Sequence, residues 1–125
     1  MNQLLGRTIM TPAPESEHLR IATRLSLASV MNATKWHELF TELEVMRGNL
    51  DFRRKDIRDS FTDEPKWNGD IYEMFGLPEF IEWLDVRSSN PGQLLDAARR
   101  LGMGSEQPGG ELRFYGYLRP EETPA

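Results

Sequence analysis

A short segment, Phe80 to Arg87, carries apolar side chains on both faces of an extended chain, and this limits the possible folds more than any other feature. Phe80, Leu84 and Val86 share one face at two-residue spacing, whereas Ile81 and Trp83 share the other. A strand with both faces at least partly covered is typical of the centre of a sheet. The segment therefore predicts a central strand.

Two further segments have the apolar spacing of helices that bury one face. The first stripe consists of Trp36, Leu39, Phe40, Leu43 and Met46, and the second consists of Leu94, Leu95, Ala98 and Leu101. We expect Asn32 or Thr34 to cap the first helix and Gly48 to end it. Asn90-Pro91 predicts the start of the second helix, because proline at the first helical position loses no needed donor, and Gly102 predicts its end.

Three other segments predict strands beside this central one: 51–58, 70–75 and 111–119. Residues 70–75 and 80–87 are joined through Gly76-Leu-Pro78 and predict a hairpin. In a regular strand Phe52 and Ile57 would point to opposite faces, because they are an odd number of positions apart. If both are buried on one side, the strand needs a bulge or an early end. The order α-β-β-β-α-β predicts an α+β fold, a two-layer sandwich in which two helices cover one face of a small antiparallel sheet of about four strands.

The amino-terminal part of the chain differs in character from this patterned region. Residues 1–30 include Thr11–Glu17, a polar, proline-broken linker that cannot continue a helix or enter the interior of a sheet. We expect residues 1–30 to be an extension, flexible or partly helical, or to lie upstream of a start at Met31. Residues 31–120 are expected to form a single α+β domain, and residues 121–125 a disordered tail.

Composition excludes several classes of site. The chain has no cysteine, so disulfides, thiolate zinc sites, iron–sulfur clusters and cysteine nucleophiles are excluded. A net charge of −5 and a pI of about 5.1 argue against a general nucleic-acid binder. No apolar run approaches the roughly 20 residues of a membrane span, so we expect no membrane association and a cytoplasmic location. Neither His18 nor His37 has a second nitrogen ligand nearby, and we assign no catalytic residue, metal ligand or cofactor.

The stretch from Phe61 to Arg87 contains seven acidic residues and two basic ones, a net charge equal to that of the whole protein. Aromatic side chains are interleaved with these carboxylates. The combination is typical of a surface that covers a basic partner, because acidic groups speed association and aromatic groups supply buried anchors. The candidate binding residues are Trp67, Asp70, Tyr72, Glu73 and Glu79. We therefore expect a macromolecular-recognition protein of inhibitor or immunity type that binds a basic protein, and not an enzyme.

Two alternatives rest on side chains of the predicted strands. The first set, on adjacent predicted strands, is Asp70, Glu73, Glu82 and Asp85. Carboxylates placed in this way could serve a small acid–base enzyme or hold a divalent cation. The second set, on one face of the last strand, is Arg113, Tyr115, Tyr117 and Arg119. Such a platform could stack single-stranded nucleic acid, although ion pairs from its arginines to Glu73, Glu82 or Asp85 are the simpler use.

Four segments of the chain are distinctive in their aromatic content. They are Lys35-Trp36, Trp67-Asn-Gly-Asp70, Phe80-Ile-Glu-Trp-Leu-Asp-Val86 and Leu112-Arg-Phe-Tyr-Gly-Tyr-Leu-Arg-Pro120. Together they resemble a family of small bacterial proteins of unknown function, over residues 34–120 and without the amino-terminal region. The resemblance implies a bacterial source and a compact single domain. It implies no activity, so no functional residue is transferred from that family.

Overall fold

The computed structural model describes residues 14–59 and 65–120 of the 125-residue chain. Its helices are α1 (Pro14–Arg24), α2 (Ala33–Glu44), α3 (Ile71–Met74) and α4 (Pro91–Leu101), and a 3-10 turn spans Pro78–Phe80. Its strands are β1 (Ala28–Ser29), β2 (Leu50–Asp56), β3 (Ile81–Ser88), β4 (Ser105–Glu106), β5 (Leu112–Tyr115) and β6 (Tyr117–Leu118). The tail predicted at 121–125, together with Asp63 and Glu64 of the acidic stretch, lies outside the described residues.

The main sheet is antiparallel with the order β2-β3-β5-β4, so the predicted central strand is confirmed in β3. The predicted division of its faces is wrong, because Ile81 packs in the same cluster as Leu84 and Val86, and Phe80 precedes the strand. Phe52 of β2 lies opposite Val86, and Leu84 lies opposite Phe114 of β5. These four side chains are buried in one cluster with apolar residues of α2 and α4. The predicted α+β fold, with helices packed against a small antiparallel sheet, is therefore confirmed.

Local sequence explains the two long helices. Asn32 caps α2 by accepting a backbone hydrogen bond of 2.9 Å, and Asn90 caps α4 in the same way, immediately before Pro91. Gly102 ends α4 in the left-handed conformation, with φ of 68°, which other residues adopt only at a cost. Both helices bury most of the stripes that their spacing predicts, although Phe40, Leu95 and Leu101 are only half-buried. Helix α2 ends at Glu44, before the predicted stop at Gly48. The two predicted helices are confirmed.

The predicted strand at 70–75 is wrong, because residues 71–74 form the single helical turn α3. Asp70 accepts hydrogen bonds from two backbone N–H groups of the turn and so caps it. Ile71 and Phe75 then lie one turn apart, and both pack against the core. The hairpin predicted through Gly76-Leu-Pro78 is wrong as well, since β3 pairs directly with β2.

Strand β2 ends early, and its pairing with β3 is irregular, as the parity of its apolar residues predicts. Lys55 lies opposite Trp83, but the next residue of β2 lies opposite Ile81. Glu82 is therefore an extra residue in β3, which is the definition of a bulge. The bulge changes the direction in which the side chains of β3 point, and it brings the Glu82 carboxylate to Lys55.

The predicted last strand is divided at Gly116 into β5 and β6. The backbone N–H of Gly116 donates to the carbonyl of Glu82 at the bulge, and a Cβ atom at Gly116 would collide with the carbonyl oxygen of Ile81. Only glycine allows this close approach. Strand β6 pairs with β1 instead, so Tyr117 leaves the outward face of β5 and is buried. Its predicted outward orientation is wrong.

Part of the predicted extension packs on the rest of the chain. A second apolar cluster consists of Ile21, Ala22, Ile57, Phe80 and Tyr117. It joins α1 to the end of β2, to the 3-10 turn and to β6, and β1 adds an antiparallel pair with β6. Helix α1 begins at Pro14, inside the segment predicted to break a helix, where proline is tolerated because it occupies the first turn.

Candidate functional site

An open groove, which we name the aromatic groove, lies between α2 and the segment formed by α3 and the 3-10 turn. It encloses about 430 Å³. It is lined by Ala33, Trp36, His37, Phe40, Tyr72, Phe75 and Pro78. The ring centroids of Phe40 and Phe75 are 5.3 Å apart in an edge-to-face contact, which fixes both rings. The groove is open at Tyr72, which is 56% exposed.

Two local features of the sequence bring these side chains together. On α2, Trp36 and Phe40 lie one helical turn apart and so project from the same side of the helix. On α3, the cap at Asp70 directs the chain so that the Tyr72 hydroxyl donates to Glu44 Oε2 at 2.8 Å. This hydrogen bond raises the pKa of Tyr72, because it stabilises the protonated phenol.

Carboxylates lie on the elements that form the walls of the aromatic groove. Asp70 and Glu73 belong to α3 and its cap, and Glu79 belongs to the 3-10 turn. Within residues 14–59 and 65–120 these three form no ion pair, whereas Glu44 forms one with Arg47 at 4.0 Å. We name Glu44, Asp70, Glu73 and Glu79 the acidic rim. Glu44 binds the groove residue Tyr72, whereas Glu73 lines a separate pocket with Arg54, Arg58 and Lys66.

A second cavity, of about 440 Å³, continues the aromatic groove, because Ala33, Trp36 and Pro78 border both. Its other lining residues are His18, Ser29, Met31, Asn32, Glu79 and Tyr117. We name this cavity the polar end of the groove. The Tyr117 hydroxyl donates to the carbonyl of Glu79 at 2.7 Å, so β6 fixes the 3-10 turn beside the cavity. Burial raises the pKa of Tyr117, which keeps this donor protonated.

The sheet face opposite the apolar cluster carries charged side chains in two compact sets. In the first set, Asp85 of β3 lies directly between Arg53 of β2 and Arg113 of β5. Its Oδ1 accepts from Arg113 Nε at 2.7 Å, and its Oδ2 accepts from Arg53 Nε at 2.9 Å. Asp85 is 0% exposed, so the two cations compensate the cost of removing its charge from water.

In the second set, Glu82 at the bulge lies between Lys55 of β2 and Arg119. Its carboxylate accepts from Lys55 Nζ at 2.7 Å and from Arg119 Nε at 2.8 Å, and the residue is 2% exposed. Burial favours the protonated form of Glu82, but the hydrogen bonds from Arg119 and Lys55 outweigh burial, and its pKa is lowered. We name the two sets together the charged sheet face.

Arginine side chains also stack on two tryptophans at this face. The guanidinium carbons of Arg53 and Arg87 lie 4.6 and 4.1 Å from the ring centre of Trp67. The guanidinium carbon of Arg113 lies 3.9 Å from the ring centre of Trp83. Each contact is a cation–π interaction and also holds the arginine in position for its carboxylate. The charges of this face are therefore largely satisfied by one another.

The structure divides the residues predicted to form one acidic–aromatic binding surface. Tyr72 lines the aromatic groove, and Glu79 lines its polar end. Asp70 caps α3, and Glu73 of α3 lines a separate pocket beside Arg54 and Arg58. Trp67 lies between two guanidinium groups at the charged sheet face. The predicted set therefore does not form one surface, since two of its five residues line the groove.

The alternative binding set on the last strand is divided as well. Arg113, Tyr115 and Arg119 lie on the side of the charged sheet face, where Tyr115 is opposite Trp83. The two arginines bind the buried carboxylates of β3, which is the simpler use that the sequence predicts. Tyr117 belongs to the second apolar cluster and lies away from them. The four side chains therefore do not form one platform.

Sequence reasoning missed several groove residues, which are Trp36, Phe40, Phe75 and Pro78. It assigned the first two to the buried stripe of α2 and the others to a strand and a hairpin loop. One signal was available, since residues 33, 36, 37 and 40 have helical spacing on a second side of α2. This second side forms one wall of the groove.

The carboxylates considered for catalysis or metal binding do not lie on adjacent strands, and that expectation is wrong. Asp70 and Glu73 are on α3 and its cap, whereas Glu82 and Asp85 are on β3, where cations hold them. In the described part of the chain, no three histidine, aspartate or glutamate side chains are grouped as a metal ion would require.

None of the described helices has the length and apolar character needed to cross a membrane.

The model of a protein family of unknown function, DUF6678, matches residues 18–101, well over half of the chain. The chain belongs to this family. The matched range contains every residue that lines the aromatic groove, together with β2 and β3, and it ends before β5 and β6. No curated protein and no solved structure matches the chain.

The expected membership in a family of unknown function is therefore confirmed. The matched range begins inside the predicted extension, and it omits the aromatic segment 112–120 on which the resemblance partly rests. The family carries no assigned activity, so it transfers no functional residue. The bacterial source implied by the resemblance stays a prediction.

Proposed function

We propose that this protein binds a basic segment of another protein through the aromatic groove, as a recognition protein of inhibitor or immunity type in the bacterial cytoplasm. The observation that carries the proposal is an open aromatic groove that has Tyr72 at its opening and the carboxylates of Glu44 and Glu79 beside it. An apolar side chain of the partner would be buried among the rings, which contributes roughly 1.5–3 kcal/mol. Positive charges beside that side chain would face the rim and speed the encounter.

Tyr72 is the anchor that we expect to contribute most. Its ring is exposed, it contacts the Phe40 ring with a centroid distance of 5.8 Å, and its hydroxyl is fixed by Glu44. A side chain already held in one orientation loses little conformational entropy when a partner binds. Tyrosine is also among the residues that most often dominate binding energies at protein interfaces.

The charged sheet face supports placing recognition at the groove. A ligand that approached its cations would compete with the carboxylates that already bind them. The same contacts favour binding over catalysis, because all four carboxylate oxygens of Glu82 and Asp85 accept hydrogen bonds from cations. An acid–base catalyst needs a carboxylate that is free to exchange a proton with a substrate.

Photo-crosslinking at Tyr72 tests the proposal. We would replace Tyr72 by benzoylphenylalanine in cells of the source organism and identify the proteins that become covalently attached. A protein with a basic segment is expected. The matched control carries the same photoreactive group at Tyr115, beside the charged sheet face, where we expect no attachment of that protein. Attachment at Tyr115 and not at Tyr72 would place the binding surface on the sheet and contradict the proposal.

Calorimetry with the attached segment of that partner measures the contribution of the anchor. Tyr72→Ala is expected to weaken binding at least tenfold, about 1.4 kcal/mol or more, because it removes an interface aromatic side chain. The melting temperature should change little, since Tyr72 is exposed. Tyr115→Ala serves as the matched substitution and should leave the affinity unchanged. Equal affinities for both variants and the parent would exclude Tyr72 as an anchor.

A further inference from the structure

Two polar groups at the polar end of the groove have unused hydrogen-bonding capacity. Nδ1 of His18 is buried and has no hydrogen-bond partner among the described residues. Glu79 lines the same cavity and, within the described part of the chain, its carboxylate forms no ion pair. With its proton on Nε2, His18 presents Nδ1 as a buried acceptor without a donor, and a ligand that supplies the donor would recover the cost of burying it. The cavity therefore favours a ligand group rich in N–H donors.

The position of His18 is fixed by the packing around it. Helix α1 is anchored by Ile21 and Ala22 in the second apolar cluster, and the imidazole meets the Phe80 ring edge to face with a centroid distance of 6.0 Å. Arg58 lies against the same Phe80 ring, 3.9 Å from its centre, but Asp56 neutralises its charge. The described structure around the cavity therefore leaves the Glu79 carboxylate available to a ligand cation.

We infer that the polar end of the groove binds the guanidinium group of an arginine side chain in the partner, next to the apolar side chain that fills the aromatic groove. The inference rests on the proposed function and specifies the chemistry of the segment that is bound. Guanidinium has five N–H donors in one plane, so it can donate to an imidazole nitrogen and to a carboxylate at the same time. Trp36 borders both cavities, so a guanidinium in the polar end would lie next to the apolar side chain in the aromatic groove.

Three series of synthetic peptides test this inference. Each peptide is acetylated and amidated, has a glycine–serine background and contains one leucine. In the first series an arginine stands one to four positions from the leucine. In the second series citrulline replaces the arginine, and in the third series lysine replaces the arginine. Citrulline has nearly the shape of arginine but no charge. Binding is measured by calorimetry with the full-length protein.

We expect the best arginine peptide to bind about tenfold more tightly than its citrulline counterpart, since a hydrogen bond between charged groups is stronger than one from a neutral ureido group. Glu79→Gln should reduce this preference for arginine. His18→Phe should weaken both peptides, because citrulline keeps the N–H donors that bind Nδ1. Glu106→Gln, an exposed carboxylate on β4, is the matched control and should change neither affinity.

The outcomes separate this inference from the proposed function. Equal binding of arginine and citrulline peptides, both weakened by Tyr72→Ala, would overturn the arginine site and leave the proposed function in place. Lysine peptides that bind as tightly as arginine peptides would overturn the assignment of a guanidinium. Failure of every peptide to bind the parent protein would contradict the proposed function and this inference with it.

Discussion

Two groups of carboxylates from the same acidic stretch of sequence have opposite environments in the structure. Glu82 and Asp85 lie in β3, are 2% and 0% exposed, and accept hydrogen bonds from cations with every oxygen atom. Asp70, Glu73 and Glu79 lie earlier in the same stretch, on α3, its cap and the 3-10 turn, and form no ion pair among the described residues. The first group holds the sheet together, and the second remains available for a partner.

The difference follows from the elements that carry the two groups. A central strand has direct neighbours on both sides, so the register places Arg53 and Arg113 on either side of Asp85. A helical turn or a 3-10 turn has no such neighbours, and its carboxylates bind the backbone, as Asp70 does, or face solvent. The net charge of a stretch of sequence is therefore a poor guide to the charge of a surface.

The largest effect is expected when a sheet carboxylate is removed. Asp85→Ala should lower the free energy of unfolding by about 3 kcal/mol, because it removes the buried carboxylate that binds both Arg53 and Arg113, although Arg53 keeps its ion pair with Glu111. We place the value at the low end of the range for broken buried ion pairs, since Arg53 and Arg113 keep some contact with water. Urea denaturation measures the change. A loss below about 1 kcal/mol would show that Asp85 resembles a surface carboxylate.

A slightly smaller loss of stability is expected when a side chain of the second apolar cluster is truncated. Ile21→Ala should lower the free energy of unfolding by about 2 kcal/mol, the low end for a buried isoleucine, because its cluster is small. Arg24→Ala, on an exposed position of the same helix, is the matched control. Both substitutions introduce alanine into α1, so a melting temperature that is lower for Ile21→Ala than for Arg24→Ala measures the lost packing and not a change in helix propensity. Equal melting temperatures would mean that α1 does not support the groove.

The pH dependence of stability tests the ion pairs of one sheet carboxylate, Glu82. The pKa of Glu82 in the folded protein is below its ordinary value of 4.5, so ionised Glu82 stabilises the fold. This contribution is fully present above about pH 4.5 and is lost as the pH falls through the lowered pKa. Glu82→Gln should therefore show a shallower loss of stability between about pH 5 and pH 3 than the parent protein. Parallel curves would contradict the ion pairs seen at the bulge.

The smallest effect on stability is expected at the acidic rim. Glu73→Lys should change the free energy of unfolding by less than about 0.5 kcal/mol, because Glu73 is exposed and accepts one hydrogen bond, from Asn68. The same substitution should slow association with a basic partner and flatten its dependence on salt, because exposed charges act through a screened field. Stopped-flow measurements at two salt concentrations test this. An unchanged association rate would remove Glu73 from the binding surface.

Much of the fold follows from signals that are local in the sequence. The cap at Asn90, the proline after it and the left-handed Gly102 define α4 within a dozen residues. Apolar residues on both faces of β3 are enough to predict a central strand. These features depend on backbone hydrogen bonding and on burial along one element, and both can be read without knowing the partners in space.

The missed features depend on contacts between distant parts of the chain. Several side chains in residues 70–75 favour a strand, but Asp70 can cap a helix. Packing of Phe75 against the core favours the helical conformation. Tyr117 was placed on the wrong side because the Gly116 contact with the bulge in β3 ends the alternation of β5. The groove is harder to predict, because its residues on α2 include Trp36 and Phe40, which also have the spacing of core residues.

Chemical-shift mapping of the parent protein with the best arginine peptide tests the central claim, that recognition lies at the groove and not at the sheet. The account predicts that the Trp36 indole signal and the backbone signals of Phe40, Tyr72 and Glu73 shift in proportion to bound peptide. Signals of Arg53, Asp85 and Arg113 are expected to stay in place. Shifts confined to the three sheet residues, with an unchanged groove, would contradict the division of the acidic stretch into structural and binding carboxylates.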